Sequence, residues 1–486
     1  MIVNKKYQNL LVLLLSIAFI GINLFFIIEE IYWFLFLPLA IIVVVLYFIS
    51  LDAILLLITL LTPLSVGVTM GGGSFGLAVP TEPLLAGVSL LFILRLILNV
   101  DYDKRILKHP LSLVIILYLF WIFITSITSE IPLVSFKFLI LKLWFILPFY
   151  FVLIQVFQNQ KNLRRFSFFY VISFLMVVFY TIIKHSKFGF SEEAGHWVMT
   201  PFYNDHTAYG AMLAFFVPVV FSFFRFKEYS KAIRIVSLII GVIFIIALFL
   251  SFSRAAWLSL LVALICGLPI VLKIKFKWIA LIAIVSMASL YIFQNEIIHR
   301  LEKNTNESSE NYIEHVRSIY NISSDASNLE RINRWQAAIR LFKERPLLGW
   351  GPGTYQFVYA PMQYNHEKTI ISTNAGDKGN AHSEYLGPIA EMGLFGALLM
   401  ITIVAMVMVT GLKVYKNAKN SEMKMLSLAS LLALISYFTH GLVNNFLDTD
   451  KASIPVWGFM AMIVAMDVFH TKKCPIDPEN KGTTSF

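Results

Sequence analysis

Apolar residues gather in long runs, at roughly residues 8–28, 31–49, 51–66, 82–99, 110–129, 134–157, 166–184, 206–224, 233–251, 254–272, 277–294, 384–412, 423–447 and 453–470. A helix needs about 20 such residues to cross about 30 Å of hydrocarbon. The pattern predicts an all-α polytopic membrane protein with about 12–14 transmembrane helices. The count is a range because the run at 51–66 is short and contains Pro63. One segment breaks the alternation. Residues at about 295–383 form a single hydrophilic stretch, too long for an idle connector. Its acidic and basic residues are mixed, which predicts a folded cap and not a polybasic membrane patch.

The connectors fix the expected orientation. Lysine and arginine cluster at Lys5-Lys6, Lys104-Arg105, Arg164-Arg165, Lys231-Arg234, Lys413-Lys416 and Lys472-Lys473. Counted alternately from a cytoplasmic N-terminus, all these clusters fall on the cytoplasmic side, as the positive-inside rule requires. Both termini are then expected in the cytoplasm and the large loop outside it. The connectors expected outside, among them Glu29-Glu30, Gly71-Gly72-Gly73, Ser129-Glu130 and Asp448–Asp450, are poor in basic residues. The first run follows Lys5-Lys6 without a small-residue cleavage site, so it reads as a retained span. No internal repeat is visible. The chain is expected to divide into N-terminal helices (1–205), a core containing the large loop (206–412), and C-terminal helices with a tail (413–486).

Composition excludes several function classes. Of 486 residues, 58% are hydrophobic and 14% charged, against about 45–50% and 25% in soluble domains. A soluble enzyme, a disulfide scaffold and a disordered chain are all ruled out. The two cysteines, Cys266 and Cys474, lie far apart and indicate neither a disulfide framework nor a metal cluster. Net charge is +10, but its placement reports topology, so no nucleic-acid partner is implied.

Candidate chemistry lies where the cap is expected to meet the helices. Arg254, in Ser251-Phe252-Ser253-Arg254, falls in a tight turn between two runs, where a guanidinium is either an interfacial anchor or a phosphate clamp. Residues 328–344 read as an amphipathic helix, with Leu329, Ile332, Trp335, Ile339 and Phe342 on one face. Capping at Ser327 or Asn328 would put Arg331 in the first turn, where a cation reinforces an anion site, and Arg334 one turn further on. The alternative for both is a solvated helix face. Gly349, Gly351 and Gly353 predict a tight turn and, with no Lys-Ser/Thr following, no nucleotide loop. His382 stands where the cap re-enters the membrane and is a candidate base. His206 has a similar location and less support, whereas His196, His315 and His366 read as ordinary loop histidines. Glu192-Glu193 and Asp448–Asp450 read as solvated loops, so no metal site is expected. The sequons at Asn306 and Asn321 carry little information. Lys137 and Lys142 fall inside one span, where each would snorkel, pair with a donor phosphate or line a transport path.

Three of these segments together resemble the O-antigen ligase family. His382-Ser383, nine residues, then Gly393-Leu394-Phe395-Gly396 is similar to that family's His-[Asn/Ser/Gln]-x9-Gly-x-x-Gly pattern. Arg254 to Leu258 is similar to its Arg-x-x-x-Leu, and Arg331 to Gly353 to its Arg-x-x-x-Trp…Pro-Leu-x-Gly-x-Gly segment. Ser383 stands where Asn is common. The resemblance covers about residues 206–400; the rest matches in hydropathy alone. It implies a membrane glycosyltransferase with a GT-C-like helical fold, inverting, and using neither metal nor cofactor. The implied donor is a glycan on undecaprenyl diphosphate, and the acceptor lipid A–core or another glycan. It would act on the outer face of the cytoplasmic (inner) membrane, with lipid tails held between spans. His382, Arg254 and Arg331 are the implied catalytic residues; Arg254, Arg331, Arg334 and Ser383 the implied substrate-binding ones. A polysaccharide or O-antigen polymerase would use the same motifs. A transporter of lipid-linked glycans is the third class, disfavoured by the missing repeats and the single cap.

Overall fold

The computed structural model describes residues 5–28, 41, 45–47, 49–70, 75–98, 102–226, 228–274, 326–369, 372 and 379–471. The chain divides into two compact units, residues 1–54 with 480–486, and residues 55–479. The described helix of the first is α1 (Lys5–Ile28), which exposes apolar side chains such as Leu13, Ile17 and Phe25. The second unit carries the site.

It begins in α2 (Leu51–Leu61), which ends in a 3₁₀ turn at Thr62–Leu64, where Pro63 sits in the first turn. An antiparallel hairpin follows, β1 (Val66–Met70) with β2 (Phe75–Val79), in the register Val66 to Val79 and Met70 to Phe75. The apolar run at 51–66 is therefore a 14-residue helical segment closed by a hairpin, shorter than the other spans. The hairpin is an exception to the all-α expectation. Then come α3 (Thr81–Ile97), α4 (Pro110–Ile127), α5 (Pro132–Val156), α6 (Gln160–Ser186), α7 (His206–Arg225), α8 (Lys231–Leu250) and α9 (Arg254–Val271). After residues outside the description come α10 (Ala326–Glu344), α11 (Leu386–Asn417), α12 (Ser421–His440) and α13 (Asp450–Phe469). Nine of the described helices, α4 to α9 and α11 to α13, are long and apolar enough to cross a membrane. Apart from that hairpin the described elements are helical, as expected of an all-α polytopic membrane protein. The runs at 31–49 and 277–294 fall largely or wholly outside the described residues, as do His315, Asn306, Asn321 and Cys474.

Burial sorts these helices by their neighbours. Helix α13 is enclosed along most of its length and α7 nearly so, whereas α8 and α9 present Ile239, Ile246, Leu261 and Leu268 outward. A helix apolar all round suits a bundle centre, and one with apolar residues facing out suits a lipid boundary. Helix α7 packs on α8, α9 and α12, and α11 packs on α4, α12, α13 and the cap helix α10.

The cap is fastened to α11 at a break in that helix. Gly393 has φ 67° and interrupts the helical geometry. There Trp350 and Gly351 donate to the carbonyls of Ala390 and Glu391 at 3.1 and 2.8 Å, and Leu394 donates to that of Pro346 at 2.9 Å. The backbone groups freed by the break are thus paired with residues 346–351. Trp121 of α4 supplies one more donor, its Nε1 lying 2.9 Å from the Met392 carbonyl. Two glycines make this approach possible. Gly349 has φ 68°, and a Cβ there would lie 2.3 Å from the Glu391 backbone. Gly351 has φ 111°, and its Cβ would fall 2.0 Å from Ser129 Oγ.

Candidate active site

His382 lies four residues before α11 in a left-handed conformation, φ 46°. Such a conformation costs a residue with a Cβ on the order of 1–3 kcal/mol and persists where its surroundings impose it. Asn380 accepts the His382 amide at 3.0 Å through its side chain, and Trp335 Nε1 approaches the His382 carbonyl at 3.5 Å. Arg334 holds the same segment from α10, with one nitrogen 3.2 Å from the Asn380 carbonyl and Nε 2.8 Å from Glu330 Oε1. On the other side the Ser383 hydroxyl accepts the amides of Tyr385 and Leu386, both at 3.3 Å, and so caps the entry to α11. Glu384 follows, its Oε1 taking the Tyr437 hydroxyl and the amides of Phe446 and Leu447 at 2.8, 2.7 and 2.9 Å. The imidazole is left half-buried. Burial holds it at about 4, below the ordinary 6.5, and the charges of Arg334 and Arg331 act in the same direction. At neutral pH it is uncharged, with one ring nitrogen able to accept a proton.

The arginines converge from two directions. Arg254 opens α9 after Ser251-Phe252-Ser253, a turn that packs closely on α7: a Cβ on Gly210 would lie 2.9 Å from Ser253 Cβ. Asp205 caps α7, its Oδ1 accepting the Thr207 and Ala208 amides at 2.7 and 2.8 Å. His206 comes next and stacks on His196, ring centroids 4.3 Å apart. The charges of Arg254 and Arg331 both reach His206, and those of Arg331 and Asp205 both reach His382. Arg254, Arg331, His206 and His382 thus share one electrostatic neighbourhood. It brings the positive charge of α9 and of α10 near the two imidazoles.

Four expectations change in detail. Helix α10 is already helical at Ala326, so Arg331 lies beyond its first turn and the helix terminus contributes less to any anion site there. Arg334 is buried and committed to Glu330 and Asn380, so it acts on the site by holding the His382 segment. Asp450 is no solvated loop residue: it is buried, accepting from Ser65 and Thr81 at 2.5 and 2.6 Å, and Asp448 pairs with Lys142 at 2.7 Å. His196, expected as an ordinary loop residue, stands against His206.

A cavity of about 800 Å³ reaches the His382 segment through Asn380, Ala381 and Ser383, with Asp205 also in its lining, but His382 itself does not line it. Arg254 and Arg331 do not line it. Lys142 of α5 crosses to its floor and donates to the Leu447 carbonyl at 2.9 Å as well as to Asp448. Sequence reasoning missed His440, at the end of α12. It is 1% exposed, neither of its ring nitrogens has a hydrogen-bond partner, and it feels the charges of Asp205 and Arg331. A histidine at the end of an apolar run gave no reason to look there. Glu330 was equally silent, although a Glu four residues before an Arg on a helix is a readable pair.

Cationic side chains and a neutral imidazole thus stand together in a multi-pass membrane protein. Residues 239–401 match the family model described as O-antigen ligase, so the chain carries a domain of the O-antigen ligase family. The matched segment supports a membrane enzyme of the O-antigen ligase or polymerase type in general terms. Arg254, Arg331, His382 and Gly393 all fall inside the matched segment. No curated protein matches the chain.

Proposed function

We propose that the protein transfers a glycan from undecaprenyl diphosphate to lipid A–core, or to a similar acceptor, on the extracytoplasmic face of the inner membrane. The observation that carries this reading is the match of residues 239–401, which include Arg254, Arg331 and His382, to the O-antigen ligase family model. Breaking the anomeric bond leaves a polyprenyl diphosphate with growing negative charge. Two guanidinium groups, which match phosphate oxygens in a bidentate way, stabilise that charge where it develops. His382, uncharged at neutral pH, takes the proton of the acceptor hydroxyl as the oxygen attacks the anomeric carbon from the side opposite the diphosphate. The new bond therefore forms with inversion. In this scheme the charge stabilisation comes from the chain's own arginines, with no metal required. Arg334 and Ser383 position His382, Arg334 through Asn380 and Ser383 by capping α11. The polyprenyl tail lies between the lipid-facing helices.

A polymerase would use the same residues and differ in its acceptor, a second lipid-linked unit. The test is reconstitution in proteoliposomes with an undecaprenyl-diphosphate oligosaccharide, offered lipid A–core. Modified lipid A supports ligation; longer lipid-linked chains overturn ligation in favour of polymerisation. No new glycosidic bond with either acceptor overturns the catalytic reading itself.

A further inference from the structure

Lys142 places a cation within α5, a helix apolar enough to cross hydrocarbon, where charge is costly and is kept for a purpose. It is 4% exposed, so it does not snorkel to an interface. Two of its three N–H donors end on protein oxygens, Asp448 Oδ1 at 2.7 Å and the Leu447 carbonyl at 2.9 Å. The ammonium also stands over the Phe138 ring, 5.0 Å from its centre. A lysine so engaged is committed to the loop between α12 and α13.

That loop reaches the His382 segment through Leu447. Its carbonyl accepts Lys142, and its amide donates to Glu384 Oε1 at 2.9 Å. The same carboxylate oxygen takes the Phe446 amide at 2.7 Å and the Tyr437 hydroxyl at 2.8 Å. The Glu384 amide donates to the Gly441 carbonyl at 2.8 Å, and the Tyr385 hydroxyl to that of Phe438 at 3.0 Å. Residues 384 and 385 are thus fixed to the end of α12 and to the loop after it. His382, two residues earlier, has φ 46°, a conformation that persists only where its surroundings impose it. Arg334 and Asn380 hold the flank toward the cap. Glu384 and the loop behind it hold the other flank.

We infer that Lys142 is a positioning residue for His382, acting through Leu447, Asp448 and Glu384 without touching substrate. The inference rests on the glycan-transfer reading, in which His382 is the base, and adds an anchor on the side of the helices. Lys142 fixes the loop, the loop fixes Glu384, and Glu384 fixes the flank from which the imidazole projects. Losing the ammonium releases the Leu447 carbonyl and Asp448, and a base misplaced by about 1 Å loses on the order of 100-fold in rate. A lysine that gripped donor phosphate would show itself in donor affinity instead.

The test uses the full chain with isotope-labelled histidine, in detergent for NMR and in proteoliposomes for kinetics with undecaprenyl-diphosphate oligosaccharide and lipid A–core. The His382 imidazole signal is identified by its loss in His382→Gln. Lys142→Met keeps most of the side chain and loses the charge. Glu384→Ala loses the acceptor, whereas Glu384→Gln keeps a side-chain oxygen for the same donors. The His382 signal should shift or broaden in Lys142→Met and Glu384→Ala, and return to its wild-type position in Glu384→Gln. Those of His109 and His470, which pair with Asp467 and with the Phe157 carbonyl, should stay in place. In the first two variants kcat should fall by about 10- to 100-fold, with the donor KM within about twofold of wild type. Asp448→Ala, at a side chain 44% exposed, loosens the same grip should Lys142→Met not fold, and carries the same expectations. A stationary His382 signal in the folded variant overturns the inference. So does a wild-type kcat, a raised donor KM at unchanged kcat, or a movement of all the histidine signals together. Any of these with glycan transfer intact in wild type strikes the inference alone. A wild type that forms no glycosidic bond strikes the transfer reading, while the histidine signals still report whether Lys142 anchors His382.

Discussion

Arg334 donates to the carbonyl oxygen of Asn380 at 3.2 Å, so a buried guanidinium on the cap helix fixes the segment that carries His382. Its partner Glu330 also takes hydrogen bonds from Ser372 and, at 3.1 Å, Thr369, and the sum of these holds its carboxyl below the ordinary range although burial pushes the other way. Arg334 is therefore a positioning residue. Replacing it with Ala leaves Glu330 buried without its cation, at a cost of about 3–5 kcal/mol. A small displacement of a reacting group costs on the order of 100-fold in rate. Arg334→Ala should lower kcat by about 10- to 100-fold with KM little changed, which steady-state kinetics in proteoliposomes would show.

Arg254 and Arg331 are expected to behave differently. Each removes charge from the leaving diphosphate, so Arg254→Ala and Arg331→Ala should each lower the transfer rate by about 100- to 1,000-fold. Lysine at either position should recover part of the loss, since it restores charge but not the bidentate fork. Single-turnover transfer from a saturating lipid-linked donor measures the chemical step directly. A loss below about threefold in both alanine variants would remove the arginines from the mechanism.

The pH dependence follows from His382. Its folded value is held at about 4, beneath the ordinary 6.5, first by burial and then by Arg334 and Arg331. A depressed histidine stays neutral, and able to act as a base, at every pH above that value. The acid limb of kcat/KM should therefore fall near pH 4, not near 6.5. Removing the Arg334 charge takes away one cause of the depression, so Arg334→Ala should move that limb to higher pH. Donor diphosphate brings negative charge near the imidazole, so the limb of kcat should lie above that of kcat/KM. A purely structural role for Arg334 would leave the limb in place.

The glycine turn gives a stability prediction. At Gly351 a methyl group would meet Ser129 Oγ at 2.0 Å and Ser135 Oγ at 2.8 Å, in a conformation with φ 111°. Backbone strain alone there costs on the order of 1–3 kcal/mol, and the clash adds to it. Gly351→Ala should lower the melting temperature by several degrees. Gly21→Ala, where a Cβ meets nothing within 4 Å, serves as the control.

Much of this was legible in the sequence for one physical reason. The hydrocarbon imposes a length, so spans such as 110–129, 206–224 and 423–447 announce themselves. The glycines at 349–353 announced a close approach but not its partner, because the break at Gly393 becomes a docking surface only once α11 lies beside the cap. The hairpin after Pro63 was missed because its Val66 and Val68 extend an apolar run without a boundary. At the site, residue type singled out Arg254, Arg331 and His382. What each one faces depends on chain crossings between α7, α10 and α12, so Asp205 and His440 carried no local signal. Lys142 stood out as a charge within a span, but its pairing with Asp448 connects residues 306 apart.

The central claim is that His382 acts as the base in a glycosyl transfer. Its most direct test compares wild type with His382→Ala and His382→Gln in proteoliposomes containing undecaprenyl-diphosphate oligosaccharide, lipid A–core and a chelator. The account predicts modified lipid A from wild type with the chelator present, and a loss of about 100- to 10,000-fold in both folded variants. Transfer by His382→Ala within a few-fold of wild type would contradict it.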